Sequence, residues 1–125
     1  MLNNTSLVGR LTRDPDLRYT GEGTAVCNFT LAVERPFKNS AGEREADFIR
    51  ITCWRKLAEN VGEYMTKGRL VAIAGRIQTR NWEDDDGNSR VSVDVVANNV
   101  TFLPDGSQKK KETDDSNDDD PEVPF

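Results

Sequence analysis

No histidine occurs in this 125-residue sequence. Its absence removes the commonest general base, every triad built on imidazole and the zinc–histidine site. No G-x-x-x-x-G-K loop is present to cradle a nucleotide phosphate. The Asp84–Asp86 cluster lacks a supporting ligand set and falls in a predicted turn. We therefore expect no catalysis, no metal, no cofactor and no small-molecule substrate. Apolar residues never run on for about 18 positions, so no membrane span is expected. The opening "MLNNTSLVGR" lacks a basic segment followed by an apolar one. No secretory signal is expected from it, and the expected compartment is the cytoplasm. Cysteine is scarce: Cys27 and Cys53 have no metal-type spacing, and both fall on the apolar side of predicted strands. They read as reduced core thiols.

The formal net charge of −5 is unevenly placed. Residues 1–103 hold 14 Lys and Arg against 14 Asp and Glu, whereas residues 104–125 hold 3 Lys against 8 acids, which is the whole excess. A polyanion site in the body must therefore come from segregating its charges onto separate faces. Composition changes at the same point. "PDGSQKKKETDDSNDDDPEVPF" is almost without apolar residues before its last three. It cannot bury enough surface to offset the entropy of ordering, so residues 104–125 are expected to be a disordered acidic tail on a folded domain of residues 1–103.

Within that domain most segments alternate with period two. Thr5, Leu7 and Leu11 mark a first strand, with Gly9 as a bend or bulge, closed by Pro15. "GEG" at 21–23 supplies a turn. Ala25, Cys27, Phe29, Leu31 and Val33 alternate through a second strand, "KNSAGERE" is a polar loop, and Asp47–Trp54 is a third strand. The period then becomes helical at Leu57, Val61 and Tyr64 or Met65, with Gly68 placed to end the helix. Leu70–Trp82 is a long fourth strand with Val71, Ile73 and Ile77 inward and a bend at Gly75. Asp86-Gly87 signals a hairpin into a fifth strand carrying Val91, Val93, Val95 and Ala97. Three strands, a helix and two strands predict an all-β fold with one short helix: the five-stranded Greek-key barrel called the OB-fold. A β-sandwich would need about seven strands. The barrel alone assigns no function.

The outward faces are more informative. On the third strand they carry Phe48, Arg50, Thr52 and Trp54; on the fourth, Arg76, Gln78, Arg80 and Trp82. Arg35 and Phe37 lie just past the second strand, and Lys56 and Arg90 are placed for a rim. A single outward aromatic more often packs under a loop or in an oligomer contact, and Trp54 is also placed to cap the barrel bottom. Several aromatics interleaved with arginines on neighbouring strands match the demands of single-stranded nucleic acid. Its phosphates need a cationic track, and its unpaired bases offer flat faces, each stack being worth on the order of 1–3 kcal/mol. Arginine serves both needs.

The stretches "NNTSLVGRLTRDPDLRYTGEGTAVCNFTLAVER", "FIRITCWRKLAENVGEYMTKGRLVAIAGRIQTRNW" and "SRVSVDVVANNVTFL" resemble the bacterial single-stranded DNA-binding proteins, with their plasmid and phage relatives. The resemblance implies an OB-fold, a homotetramer and wrapped single-stranded DNA. It implies stacking at Phe37, Phe48, Trp54 and Trp82, and phosphate contacts at Arg18, Arg50, Lys56, Lys67, Arg80 and Arg90. Phe37 and Phe48 stand where the family often has tryptophan, and Gln78 where it often has a basic residue. The tail resembles the family's protein-binding tip: Asp118, Asp119 and Asp120, then Val123, Pro124 and Phe125, with Pro121-Glu122 inserted between. The partners implied are replication, recombination and repair proteins, and the location implied is the nucleoid. Two rivals remain open on the residues alone: an OB-domain subunit whose aromatic face binds protein, and an RNA-binding OB-fold. No residue pattern here reads a 2′-hydroxyl, so DNA over RNA rests on the resemblance.

Overall fold

The period-two segments become strands longer than their apolar cores. In the computed structural model, which describes residues 1–104, the chain runs β1 (Thr5–Leu11), β2 (Asp16–Tyr19), β3 (Ala25–Lys38), β4 (Arg44–Trp54), α1 (Arg55–Tyr64), β5 (Leu70–Glu83) and β6 (Ser89–Phe102). The sheet order is β1-β5-β6-β4-β3-β2, and β1 also pairs with β3. That last pairing closes β1, β5, β6, β4 and β3 into a five-stranded barrel, with β2 hydrogen-bonded outside on β3. All pairings are antiparallel except β4 with β6. This is the expected OB-fold barrel with its single short helix between the third and fourth barrel strands. The tail residues Asp118, Asp119, Asp120, Val123, Pro124 and Phe125 lie outside the described residues.

Closure brings backbones together where only glycine fits. At Gly9, β1 hands over from β5 to β3, and a Cβ there would run into the Ala32 carbonyl. At Gly75, a Cβ would run into the Val96 carbonyl. There β6 carries one extra residue, since Ala74 faces Asn99 while Gly75 faces Ala97. Such a bulge bends a long strand around a barrel. The core is filled by the inward set of each strand, including Cys27, Phe29, Leu31, Ile51, Cys53, Val71, Ile73 and Val95. Helix α1 plugs one end with Ala58 and Val61, and Met65 follows it into the core.

Two expectations need correction, and one strand is added. Residues 16–19, to which the residue pattern assigned no element, form β2, because Leu17 packs on the core and the strand pairs with Ala25–Asn28 of β3. The helix ends at Tyr64, with Met65 as its cap; Gly68 lies beyond, at φ 87 in the turn to β5. Ile77 is 45% exposed rather than inward. It does occupy the inward-facing side, opposite buried Val95, but the β5–β6 hairpin runs on past the barrel, so Ile77, Val91 and Val93 have no core above them.

Candidate nucleic-acid interface

Register fixes which side chains share the outer face, since directly paired residues point the same way. Across four strands, Gln78, Asp94, Arg50 and Thr30 form one transverse row. Arg76, Val96, Thr52, Asn28 and Asp16 form the next. Trp54, Val26 and Arg18 form a third. Along the strands, Phe48 precedes Arg50 on the same face of β4, and Arg80 and Trp82 follow Gln78 on β5. Phe48 is 68% exposed, Trp54 44% and Trp82 47%, so none is a core residue.

Two depressions mark this surface. One, of about 290 Å³, is lined by Val26, Asn28, Arg50, Thr52, Trp54, Gln78, Arg80, Asp94 and Val96. The other, of about 600 Å³, continues over β3 and is lined by Thr12, Arg13, Asp14, Asp16, Asn28, Phe29, Thr30, Phe48 and Arg50. Arg50 belongs to both, so the two run together into one track between Trp54 and Phe48. Trp54 owes its placement to the strand–helix junction. It ends β4 in extended conformation, and Arg55, at φ 64, turns the chain directly into α1. A left-handed non-glycine residue costs roughly 1–2 kcal/mol, which the docking of Ala58 and Val61 offsets.

The other predicted residues surround this track. Trp82 stands on the projecting β5–β6 arm, where its indole N–H donates to Ser92 Oγ at 3.2 Å. Arg90 is its cross-strand neighbour and also donates from Nε to Asp84 Oδ2 at 2.9 Å. The backbone N–H groups of Asn88 and Asp86 donate to Asp84 as well. These bonds, that from Asn88 foremost, hold the Asp84 carboxyl below its usual range. They also turn Asp84 into its own hairpin. Phe37 stands exposed on the β3–β4 arm, which is braced by the Arg35 fork on Asp47 and Glu45. Arg35 is thus a structural clamp; its hydrogen bond keeps the Asp47 carboxyl below its usual range. Arg18 pairs with Asp16 at 2.9 Å and lies in the Trp54 row. The Lys67 backbone N–H donates to Asp14 Oδ1, which places Lys67 beside the larger depression. Arg18, Lys56, Lys67 and Phe37 line neither depression.

Residue patterns did not single out Arg13, Asn28, Thr30 or Asp94. Asn28 and Thr30 alternate with Cys27, Phe29 and Leu31, so their outward direction was legible. Arg13 lies in a loop with no period to read.

Residues 2–103 match the model of the single-strand binding protein family. The chain belongs to that family. Among its relatives, the single-stranded DNA-binding protein of Halalkalibacterium halodurans is 58% identical over 111 residues, covering 88% of this chain and 66% of that protein. That of Oceanobacillus iheyensis is 59% identical over 103 residues, covering 82% of this chain and 64% of that protein. Single-stranded DNA-binding protein 1 of Staphylococcus aureus is 52% identical over 119 residues, covering 95% and 73%. The chain therefore spans just under two thirds of the length of the first two. The single-strand binding family is a binding family and not an enzymatic one. Among the described residues, no helix is long and apolar enough to cross a membrane.

Proposed function

We propose that this chain binds single-stranded DNA with little regard to sequence, protecting it during replication, recombination and repair. The carrying observation is the single outer face on which register places Phe48, Arg50, Trp54, Gln78 and Arg80, with Trp82 at its far end. Bases stack on Phe48, Trp54, Trp82 and, from the arm, Phe37. Phosphates follow Arg50 and Arg80, with Arg18, Lys56, Lys67 and Arg90 at the rim. The relatives' names support this reading. A duplex buries the faces of its bases, so the stacking term is available only to single strands. In a competition assay, a single-stranded oligomer should displace a labelled one at far lower concentration than a duplex of the same length; equal potency would sink the proposal.

The finer roles extend this reading. Val8 is exposed on β1, and Ile77, Val91 and Val93 are exposed on the side of the β5–β6 arm away from Arg76, Gln78 and Arg80; self-association, up to the tetramer implied by the resemblance, would cover them. The acidic run at 118–120 followed by Val123, Pro124 and Phe125 suits capture by a basic partner with an apolar pocket. The partners proposed are replication, recombination and repair proteins, met in the cytoplasm at the nucleoid.

A further inference from the structure

Carboxylates on an arm that meets a polyanion repel it unless they serve another end. Glu45 and Asp47 stand so on β4, and Arg35 of β3 engages both. It donates from Nη1 to Glu45 Oε1 at 3.0 Å, from Nη2 to Asp47 Oδ1 at 2.9 Å and from Nε to Asp47 Oδ2 at 3.2 Å. This fork marks the start of an irregular stretch. β3 pairs Glu34 with Ala46 and Lys38 with Arg44, so between those points it carries two more residues than β4. Pro36 has no N–H to give to the ladder, and Phe37, in the same stretch, is 66% exposed. The second oxygen of Glu45, Oε2, accepts from Asn39 Nδ2 at 3.2 Å. Asn39 is itself fixed, because its Oδ1 accepts from the backbone N–H groups of Ala41 and Glu43. Arg44 Nη1 donates to the Arg35 carbonyl at 2.9 Å. One carboxylate, that of Glu45, thus ties the residue before Pro36 to the residue after Lys38.

From this geometry we propose that Glu45, Asp47 and Arg35 form a staple that presents Phe37 to a base, all three being positioning residues for that stack. The proposal rests on the single-strand reading and deepens it. Ion pairs between side chains 44% and 51% exposed add little to global stability. Their effect here is local. A ring on a loose stretch must be ordered when the base arrives, and that cost is subtracted from the stack. A ring on a stapled stretch is ordered before binding. The two acids weaken the attraction for phosphate, and the staple is what they provide in return. Lysine could not replace Arg35, since an ammonium lacks the planar fork that reaches two carboxylates at once.

The test is a pair of double-mutant cycles in the full chain, read by the fluorescence anisotropy of end-labelled oligo-dT. Phe37→Ala should weaken binding at least about fivefold, the low end for one stack. In a Glu45→Ala, Asp47→Ala background the same substitution should cost about threefold less, as expected when the ring must be ordered on binding. Each comparison sets two chains of equal charge side by side, so the attraction gained by removing two acids cancels. Trp82→Ala, on the other arm, should cost the same in both backgrounds, which separates positioning of Phe37 from general loosening. Arg35→Lys keeps the charge and should also shrink the Phe37 loss; it decides the matter if the double-alanine background does not fold. An unchanged Phe37 loss in the folded backgrounds, or a Trp82 loss that shrinks with it, overturns the proposal and leaves the single-strand reading intact. So does a harmless Phe37→Ala in a chain that Trp54→Ala weakens. No binding of oligo-dT by the wild-type chain overturns both.

Discussion

Cys27 and Cys53 face each other across the β3–β4 ladder, both fully buried and both free. Burial, with Asp16 adding to it, pushes the Cys27 thiol up to about 11. Burial, with Cys27 beside it, pushes Cys53 up to about 12. Their ordinary value is 9.0, so above that pH the unfolded chain releases protons that the folded chain keeps. Stability from these thiols is therefore complete below about pH 9 and declines as pH rises toward their folded values. Urea midpoints measured across that range should fall, and less steeply in a Cys27→Ala, Cys53→Ala variant. Identical alkaline limbs would contradict the assignment. At this scale the sequence was readable wherever a residue sits in a strand. Period two put Phe48, Arg50, Trp54, Arg80 and Trp82 on the outer face before any coordinates. It was silent on Arg13, which sits in a loop, and on the role of Arg35, placed just past the second strand, because its fork on Asp47 and Glu45 depends on β3 pairing with β4.

Two hairpins, β3–β4 and β5–β6, outrun the barrel and carry Phe37 and Trp82 beyond it. Alternation fixes the face of a strand residue but not whether another layer covers that face. Ile77 therefore reads as inward and proves exposed, and Val91 and Val93 on the facing strand are exposed with it. β2 was missed for a related reason: four residues with one apolar anchor, Leu17, give too short a pattern, and their strand conformation comes from pairing with β3. The glycines were better guides. Gly9→Ala would drive a methyl group into the Ala32 carbonyl just where β1 crosses from β5 to β3. It should cost on the order of 1–3 kcal/mol, the usual range for overpacking. Gly21→Ala meets nothing within contact range, and its φ is not positive, so it should be near neutral or slightly stabilising. Denaturant midpoints of the pair check this; equal shifts would mean that barrel closure is not tight at Gly9.

For the whole molecule, a neutral body and a tail carrying all the excess acid divide the proposed work: the barrel face for DNA, the tail for protein. Removing residues 118–125 should leave single-strand binding in place and abolish recovery of replication and repair proteins from a bacterial lysate. If the truncated chain recovers the same proteins, the tail has no recruiting role. The central claim concerns the face itself, and tryptophan fluorescence tests it most directly, because Trp54 and Trp82 are the chain's only tryptophans. Titration with oligo-dT should quench that emission, and Trp54→Ala and Trp82→Ala should each weaken binding by on the order of 1–3 kcal/mol while the fold is retained. Repeated at two salt concentrations, affinity should fall with salt, and Arg50→Ala should flatten the slope by roughly 0.7, the share of one phosphate on a single strand. Quenching absent, or affinity unchanged in both tryptophan variants and insensitive to salt, would contradict the account.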